Sequence, residues 1–215
     1  MADMLIFDLD GTLLDTSEGI FNSVRYAEGE LNLIPISEAD LKKFVGPPPM
    51  EMYKKLYDLD EMTALRAVKL HRKYGEERAV YEAKAYDGIK EVLAEFHRRG
   101  YKLGVATLKK QVIAEAVLKN YDMSDFFDVI VGMDENETYN KATTISKAME
   151  AVNSKSAVVI GDSIYDYEGA RIAGTEFIGV LYGFGFASGE QYPFRTVPAA
   201  RELLDNIPME QSCAE

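Results

Sequence analysis

Tryptophan is absent from this 215-residue chain, cysteine occurs once and histidine twice. The lone cysteine, Cys213, is the third residue from the end and cannot form an intramolecular disulfide. No covalent framework is expected, and a reducing setting, the cytoplasm, is the expected compartment. No apolar run approaches the ~20 residues that a membrane helix needs, and Asp3 and Asp8 break the only early one, so neither a span nor a signal peptide is read. Positive charge is also scarce. Lys and Arg number 24 against 36 Asp and Glu, a net charge of −12. That balance argues against nucleic acid, which demands a basic patch, and against anionic lipid. An acidic chain that handles a small anion must gather its few cations in one place. What remains is ordinary for a globular protein: 47% apolar and 28% charged residues, on a chain long enough for a sizeable core.

Short apolar runs rich in β-branched residues recur: "MLIF" (4–7), "KLGVAT" (102–107), "DVIVG" (128–132), "SAVVIGD" (156–162) and "EFIGVLYG" (176–183). Continuous rather than alternating apolarity predicts strands buried on both faces, as in a parallel sheet. Helical patterns separate them at 88–99, 109–120, 139–152 and 164–173. The first has apolar positions 89, 92, 93 and 96, a basic last turn, and Gly100 as its stop. The alternation predicts an α/β fold with a doubly wound, mostly parallel, Rossmann-like sheet. From 16 to 84 the rhythm changes to helical segments at 18–31, 38–44, 50–57 and 61–74, with Ser37 as an N-cap. "VGPPP" (45–49) interrupts them, because three prolines in a row cannot continue a helix. The expected organisation is an α/β core of 1–15 and 85–215 with a helical module, 16–84, inserted after the first strand. The tail beyond Pro208 is expected to lack regular structure.

Asp8 and Asp10 leave the first strand at its carboxyl end, where open α/β sheets bind ligands, and Gly11 permits a tight turn. "SAVVIGDSIYD" ends in a second acidic pair, Asp162 and Asp166. "GVATLKK" ends in Thr107 and Lys109, and Lys141 opens a later helix. Carboxylates converging on one rim repel unless a cation sits among them. All-oxygen ligands suit a hard divalent ion, and Mg²⁺ is the usual one beside phosphate. One aspartate then has the means to attack phosphorus, and a second to protonate the leaving oxygen. A hydroxyl and a lysine have the means to hold the remaining oxygens.

In this order these residues resemble the haloacid dehalogenase superfamily of phosphotransferases. "DLDGTLLDT" is similar to its first motif, "VAT" ending at Thr107 to its second, Lys141 to its third and "GDSIYD" to its fourth. The resemblance covers nearly the whole chain and implies that the inserted helices are a cap. It implies Asp8 as nucleophile and metal ligand, and Asp10 as general acid/base with its backbone carbonyl on the metal. Thr107, the backbone N–H of Leu108 and Lys141 would bind the phosphoryl group. Asp162 would ligate Mg²⁺ and Asp166 would support the metal's waters or Lys141. Haloacid dehalogenases proper lack the second acid, so Asp10 points to phosphate chemistry. "FVGPPP" and "YDGIKEVL" resemble the phosphoglycolate phosphatase and 5′-nucleotidase-like branch, although Leu108 replaces its usual Asn or Ser and "NKATT" its "KPxP" run.

The expected activity is thus a Mg²⁺-dependent phosphatase acting through an aspartyl-phosphate, as a monomer or homodimer. Its substrate would be a small phosphorylated metabolite, phosphoglycolate-like or a nucleoside monophosphate, selected partly by the loop at Gly46. A β-phosphoglucomutase-like phosphomutase and a non-catalytic phosphometabolite binder are the alternatives. Structural readings exist for each residue: a turn pair for Asp8 and Asp10, an N-cap and first-turn acid for Asp162 and Asp166, a solvated charge for Lys141. Lys109 competes with Lys141 for the phosphate. "GFGFASG" (183–189) has the wrong glycine spacing for a dinucleotide loop and reads as a loop at the rim. His71 and His97 read as surface residues, and Met50, Met52 and Met62 as core of the helical module.

Overall fold

The structure is a computed structural model, and it describes residues 2–135 and 138–207; Cys213 and the tail beyond Pro208 lie outside the described residues. Strand β1 (Met4–Phe7) is buried along its whole length. Met4 and Ile6 point into one apolar cluster, Leu5 and Phe7 into another on the opposite face. Four such side chains contribute on the order of 6–12 kcal/mol of gross burial, which holds β1 firmly at the centre of the sheet.

After β1 comes the two-residue strand β2 (Leu14–Asp15), and then a helical stretch: α1 (Ser17–Leu31), α2 (Glu38–Leu41), α3 (Pro49–Tyr57) and α4 (Glu61–Glu77). Proline at the first position of α3 fits a site where the missing N–H has no partner to lose. Strand β3 (Lys84–Ala85) closes the excursion by pairing antiparallel with β2. The helical stretch has its own apolar cluster, which includes Val24, Phe44, Met52, Tyr53 and Val68.

The chain then alternates as expected: α5 (Ile89–Arg98), β4 (Lys102–Lys110), α6 (Gln111–Asn120), β5 (Val129–Met133), α7 (Lys141–Ala151), β6 (Ala157–Gly161), α8 (Ile164–Ala173) and β7 (Glu176–Val180), ending with β8 (Arg195–Val197) and α9 (Leu203–Asn206). The sheet order is β5-β4-β1-β6-β7-β8 with every pairing parallel. The chain therefore builds outward from β1 to one edge, then restarts at β6 on the other side. That reversal opens a crevice at the carboxyl ends of β1 and β6, the place where open α/β sheets bind ligands.

Three local expectations are corrected, and one strand, β8, is an addition to them. Strand β4 runs on to Lys110, with a register shift against β5 between Ala106 and Lys110, so α6 starts two residues later than the pattern implies. Strand β8 is only three residues long, too short to show periodicity. His71 is buried: Ala64, Ala67, Val68, His71 and Gly75 form the inward stripe of α4 at helical spacing. Met62 falls off that stripe and is 75% exposed. His97 is exposed in the last turn of α5, as expected. Among the described residues no helix is long and apolar enough to cross a membrane.

Candidate active site

Asp8 extends the β1–β6 ladder by one residue, its N–H donating to the Ile160 carbonyl at 2.9 Å. Its carboxylate is thereby held at the crevice rather than on a mobile loop. Gly11 turns the chain away with φ +84° and lies against the Asp162 carboxylate, so closely that a Cβ there would overlap it. Just before the turn, the Asp10 carboxylate accepts a hydrogen bond from the Thr16 hydroxyl at 2.5 Å and pairs with Lys109 Nζ at 3.1 Å.

On the neighbouring strand, Asp162 follows directly after β6. Its Oδ2 accepts from the Phe184 N–H at 2.7 Å. Phe184 also packs its ring against the apolar cluster of the helical stretch, so one residue touches both halves of the molecule. The first turn of α8 carries a capping box in which Asp166 Oδ2 accepts from Ser163 N–H at 3.0 Å and Ser163 Oγ–H at 2.6 Å. That leaves Asp166 Oδ1 for Lys141, 2.6 Å away. Lys141 is the first residue of α7, whose N-cap Asn140 accepts from the Thr143 N–H. Its side chain is 5% exposed, lies along Gly169 of α8, and delivers Nζ to Asp8 Oδ1 at 2.5 Å.

Oxygens of Asp8, Asp162 and Asp166 lie within 4.8 Å of one another, all on buried residues. Burial pushes the Asp8 carboxyl well above its usual range; Lys141 pulls it back, and Asp166, Asp162 and Asp10 push it further up. Asp162 is raised to about 7, again by burial first and then by the charge of Asp166. Burial works against the Lys141 ammonium, but Asp166 and Asp8 outweigh it and hold its pKa above the usual lysine value. The site thus carries more negative charge than its one buried ammonium neutralises. Three hard oxygen donors, desolvated and under-neutralised, fit a divalent cation such as Mg²⁺.

The structure therefore brings Asp8, Asp162, Asp166 and Lys141 into one cluster. Asp10 is 6% exposed, and its carboxylate faces Thr16 and Lys109 rather than that trio. Thr107 is buried on β4, and its hydroxyl accepts from the Lys109 N–H at 3.2 Å. Leu108 and Gly46 both line a narrow cleft of about 80 Å³, which runs from Asp10 beneath α4 and the triple proline. Gly46 has φ +98°, a turn that glycine accepts without strain. Three participants were not read as site residues: Thr16, which holds Asp10; Lys109 as a partner of Asp10; and Phe184, whose amide holds Asp162. Only the last had a sequence signal, the glycines flanking it. A Cβ at Gly183 or Gly185 would collide with Asp162, and Gly183→Ala is expected to weaken divalent-cation binding at least tenfold while the fold persists, as calorimetry would register.

Comparison with known proteins gives concordant results. A family model described as haloacid dehalogenase-like hydrolase matches residues 5–180. A 5′-nucleotidase of Pseudomonas aeruginosa is 34% identical over 84% of this chain and 83% of its own. A protein named tyrosine-protein kinase PtkA from Mycobacterium tuberculosis is 30% identical over 95% of this chain and 70% of its own. A crystal structure described as a predicted phosphatase from Clostridium acetobutylicum superposes with a TM-score of 0.87 at 36% identity, covering 94% of this chain and 96% of that one. One scaffold thus goes with differently named activities, and chemistry has to be argued from the side chains.

Proposed function

This chain belongs to the haloacid dehalogenase-like hydrolases and is a phosphatase of that family, and from that premise we propose that it hydrolyses a small phosphorylated metabolite through an aspartyl-phosphate at Asp8. The observation that carries this reading is the buried pairing of the Asp8 carboxylate with Lys141 at 2.5 Å, beside Asp162 and Asp166. A carboxylate meeting a phosphate dianion faces several kcal/mol of repulsion: two unit charges ~4 Å apart at an effective dielectric of ~20 repel by about 4 kcal/mol. Lys141 lies where it relieves that repulsion.

In the first step Asp8 attacks phosphorus as the bond to the leaving oxygen breaks, and Asp10 gives that oxygen a proton. In the second, Asp10 takes a proton from a water that attacks the phosphorylated Asp8, releasing inorganic phosphate and restoring the carboxylate. Thr107, the N–H of Leu108 and Lys141 bind the non-bridging oxygens. Asp8, Asp162 and the Asp10 carbonyl would hold Mg²⁺, with Asp166 orienting Lys141 through the 2.6 Å contact. When bound, the cation supplies charge neutralisation for the incoming phosphate. The helices of 16–84 act as a cap over the core formed by 1–15 and 85–215, and the loop at Gly46 reaches the mouth of the cleft. Closure excludes water from the first step, and opening admits it for the second. Phosphoglycolate-like compounds and nucleoside monophosphates are the candidate substrates.

Inorganic phosphate release from a panel of such compounds tests the reading. Turnover should require Mg²⁺ and stop in excess chelator; an unchanged rate in chelator refutes the metal's role. Cation binding should also follow the titration of Asp162. Its carboxyl is raised from 3.8 to about 7 in the folded chain, so the proton stabilises the native state at low pH and that stabilisation fades as pH rises towards 7. Mg²⁺ should therefore raise the melting temperature more at pH 8 than at pH 5.5, as thermal unfolding at the two values would reveal.

A further inference from the structure

The cleft beneath the cap holds an excess of cations that the chemistry at Asp8 does not use. Its charged lining consists of Asp10, Arg72, Lys109 and Lys110, on a chain whose net charge is −12. Lys109 is engaged with Asp10 at 3.1 Å. Lys110, 19% exposed at its side chain, reaches Glu135 at 3.4 Å, and that carboxylate is itself 80% exposed. Arg72 stands on α4, in the position after the buried His71. Burial works against its charge, and the carboxylates of Glu76 and Glu135 offset part of that cost. Glu135 thus holds Lys110 from the solvent side of the cleft.

A nucleobase, by contrast, finds little to stack on. The aromatic rings in the lining are Phe44 and His71, 2% and 9% exposed, and they stack on each other at 20°. The remaining walls are largely aliphatic or proline. The cleft lining thus lacks the open aromatic face on which a base stacks.

We propose that the leaving half of the substrate carries a second anionic group, a carboxylate or a phosphate, which Lys110 and Arg72 bind from the wall of this cleft, Lys110 exchanging its contact with Glu135 for the substrate's anion. The inference rests on the phosphatase reading of Asp8 and chooses between its two substrate classes. Phosphorylated hydroxy acids and diphosphates qualify; nucleoside monophosphates, whose leaving group is neutral, do not. Glu135 competes with the substrate's own anion for Lys110 and keeps that lysine paired when the cleft is empty.

Steady-state kinetics with pyrophosphate, phosphoglycolate and AMP provide the test, and the first two distinguish a phosphate from a carboxylate as the second anion. The wild type should favour at least one of these two over AMP by tenfold or more in kcat/KM. Arg72→Ala and Lys110→Ala should each cut that preference roughly ten- to a hundredfold, chiefly through KM, as loss of a charge-assisted contact implies. Arg72→Lys and Lys110→Arg, which keep the charge, should retain most of it. Glu135→Gln should move the opposite way and lower KM for the preferred substrate. AMP as the best substrate, or alanine variants that slow all three compounds alike, would overturn the proposal. Asp8→Asn keeps the two readings apart: if it silences every substrate while the preference is absent, only this inference fails, and if it leaves turnover intact, the underlying reading fails.

Discussion

Asp8→Asn is expected to lower p-nitrophenyl phosphate turnover by a factor on the order of 10⁴ to 10⁶, the scale on which removal of a nucleophile acts. No added metal should restore it. The substitution is nearly isosteric, and an amide cannot form the acyl phosphate. Folding should survive, because Lys141 keeps Asp166 at 2.6 Å as a partner and no buried charge is orphaned. The variant should even melt above the wild type in metal-free buffer at pH 8. Asp8 is a fully desolvated carboxylate whose pKa burial has pushed well up, so ionising it there works against the native state. Kinetics and thermal unfolding on the same preparation check both halves. Activity within tenfold of wild type would remove Asp8 from the role of nucleophile.

Lys141→Met has the second large effect, and on a different quantity. Methionine fills much of the space beside Gly169 but leaves Asp8 and Asp166 buried without their ammonium. Breaking a buried ion pair from one side typically costs about 3–5 kcal/mol. For a chain of this size that corresponds to a drop in melting temperature of roughly 6–20 °C. The loss should shrink on acidification, since the Asp8 carboxyl, whose folded pKa burial holds above its unfolded value, is stabilised by protonation. Melting curves at pH 8 and pH 5 measure the difference. A variant equally destabilised at both values would show that the lysine acts through packing and not through charge. Phosphate release should fail in either case.

Much of this arrangement was legible in the sequence, for identifiable reasons. Strands β1 and β6 are buried on both faces, so their apolar runs are unbroken, and the acids that follow them mark the sheet's carboxyl edge. The helical patterns at 139–152 and 164–173 placed Lys141 and Asp166 in the opening turns of two helices, although the second is capped by Ser163 and not by Asp162. The illegible parts depend on contacts between distant segments. Nothing near Thr16 indicates that its hydroxyl holds Asp10, and nothing near Lys109 indicates that β4 continues past Thr107 to aim it at the same carboxylate. His71 was misread because one polar residue on an otherwise apolar helical stripe looks like surface until the stripe is traced through Ala64, Ala67 and Val68. Two- and three-residue strands such as β2, β3 and β8 carry too few side chains to show any period.

Phe184 answers to two bodies at once. Its amide is fastened to a carboxylate of the sheet at 2.7 Å, while its ring is seated among the side chains of the helices. The two holds are comparable: a hydrogen bond to a charged acceptor contributes about 1.5–3 kcal/mol, and a half-buried phenyl ring contributes part of the similar figure for full burial. Swinging the helices outward must therefore unseat the ring or tug the amide off Asp162, and neither grip is strong enough to prevail every time. Under the proposed mechanism, departure of the spent product and slackening of the grip on a bound cation would be parts of a single mechanical event.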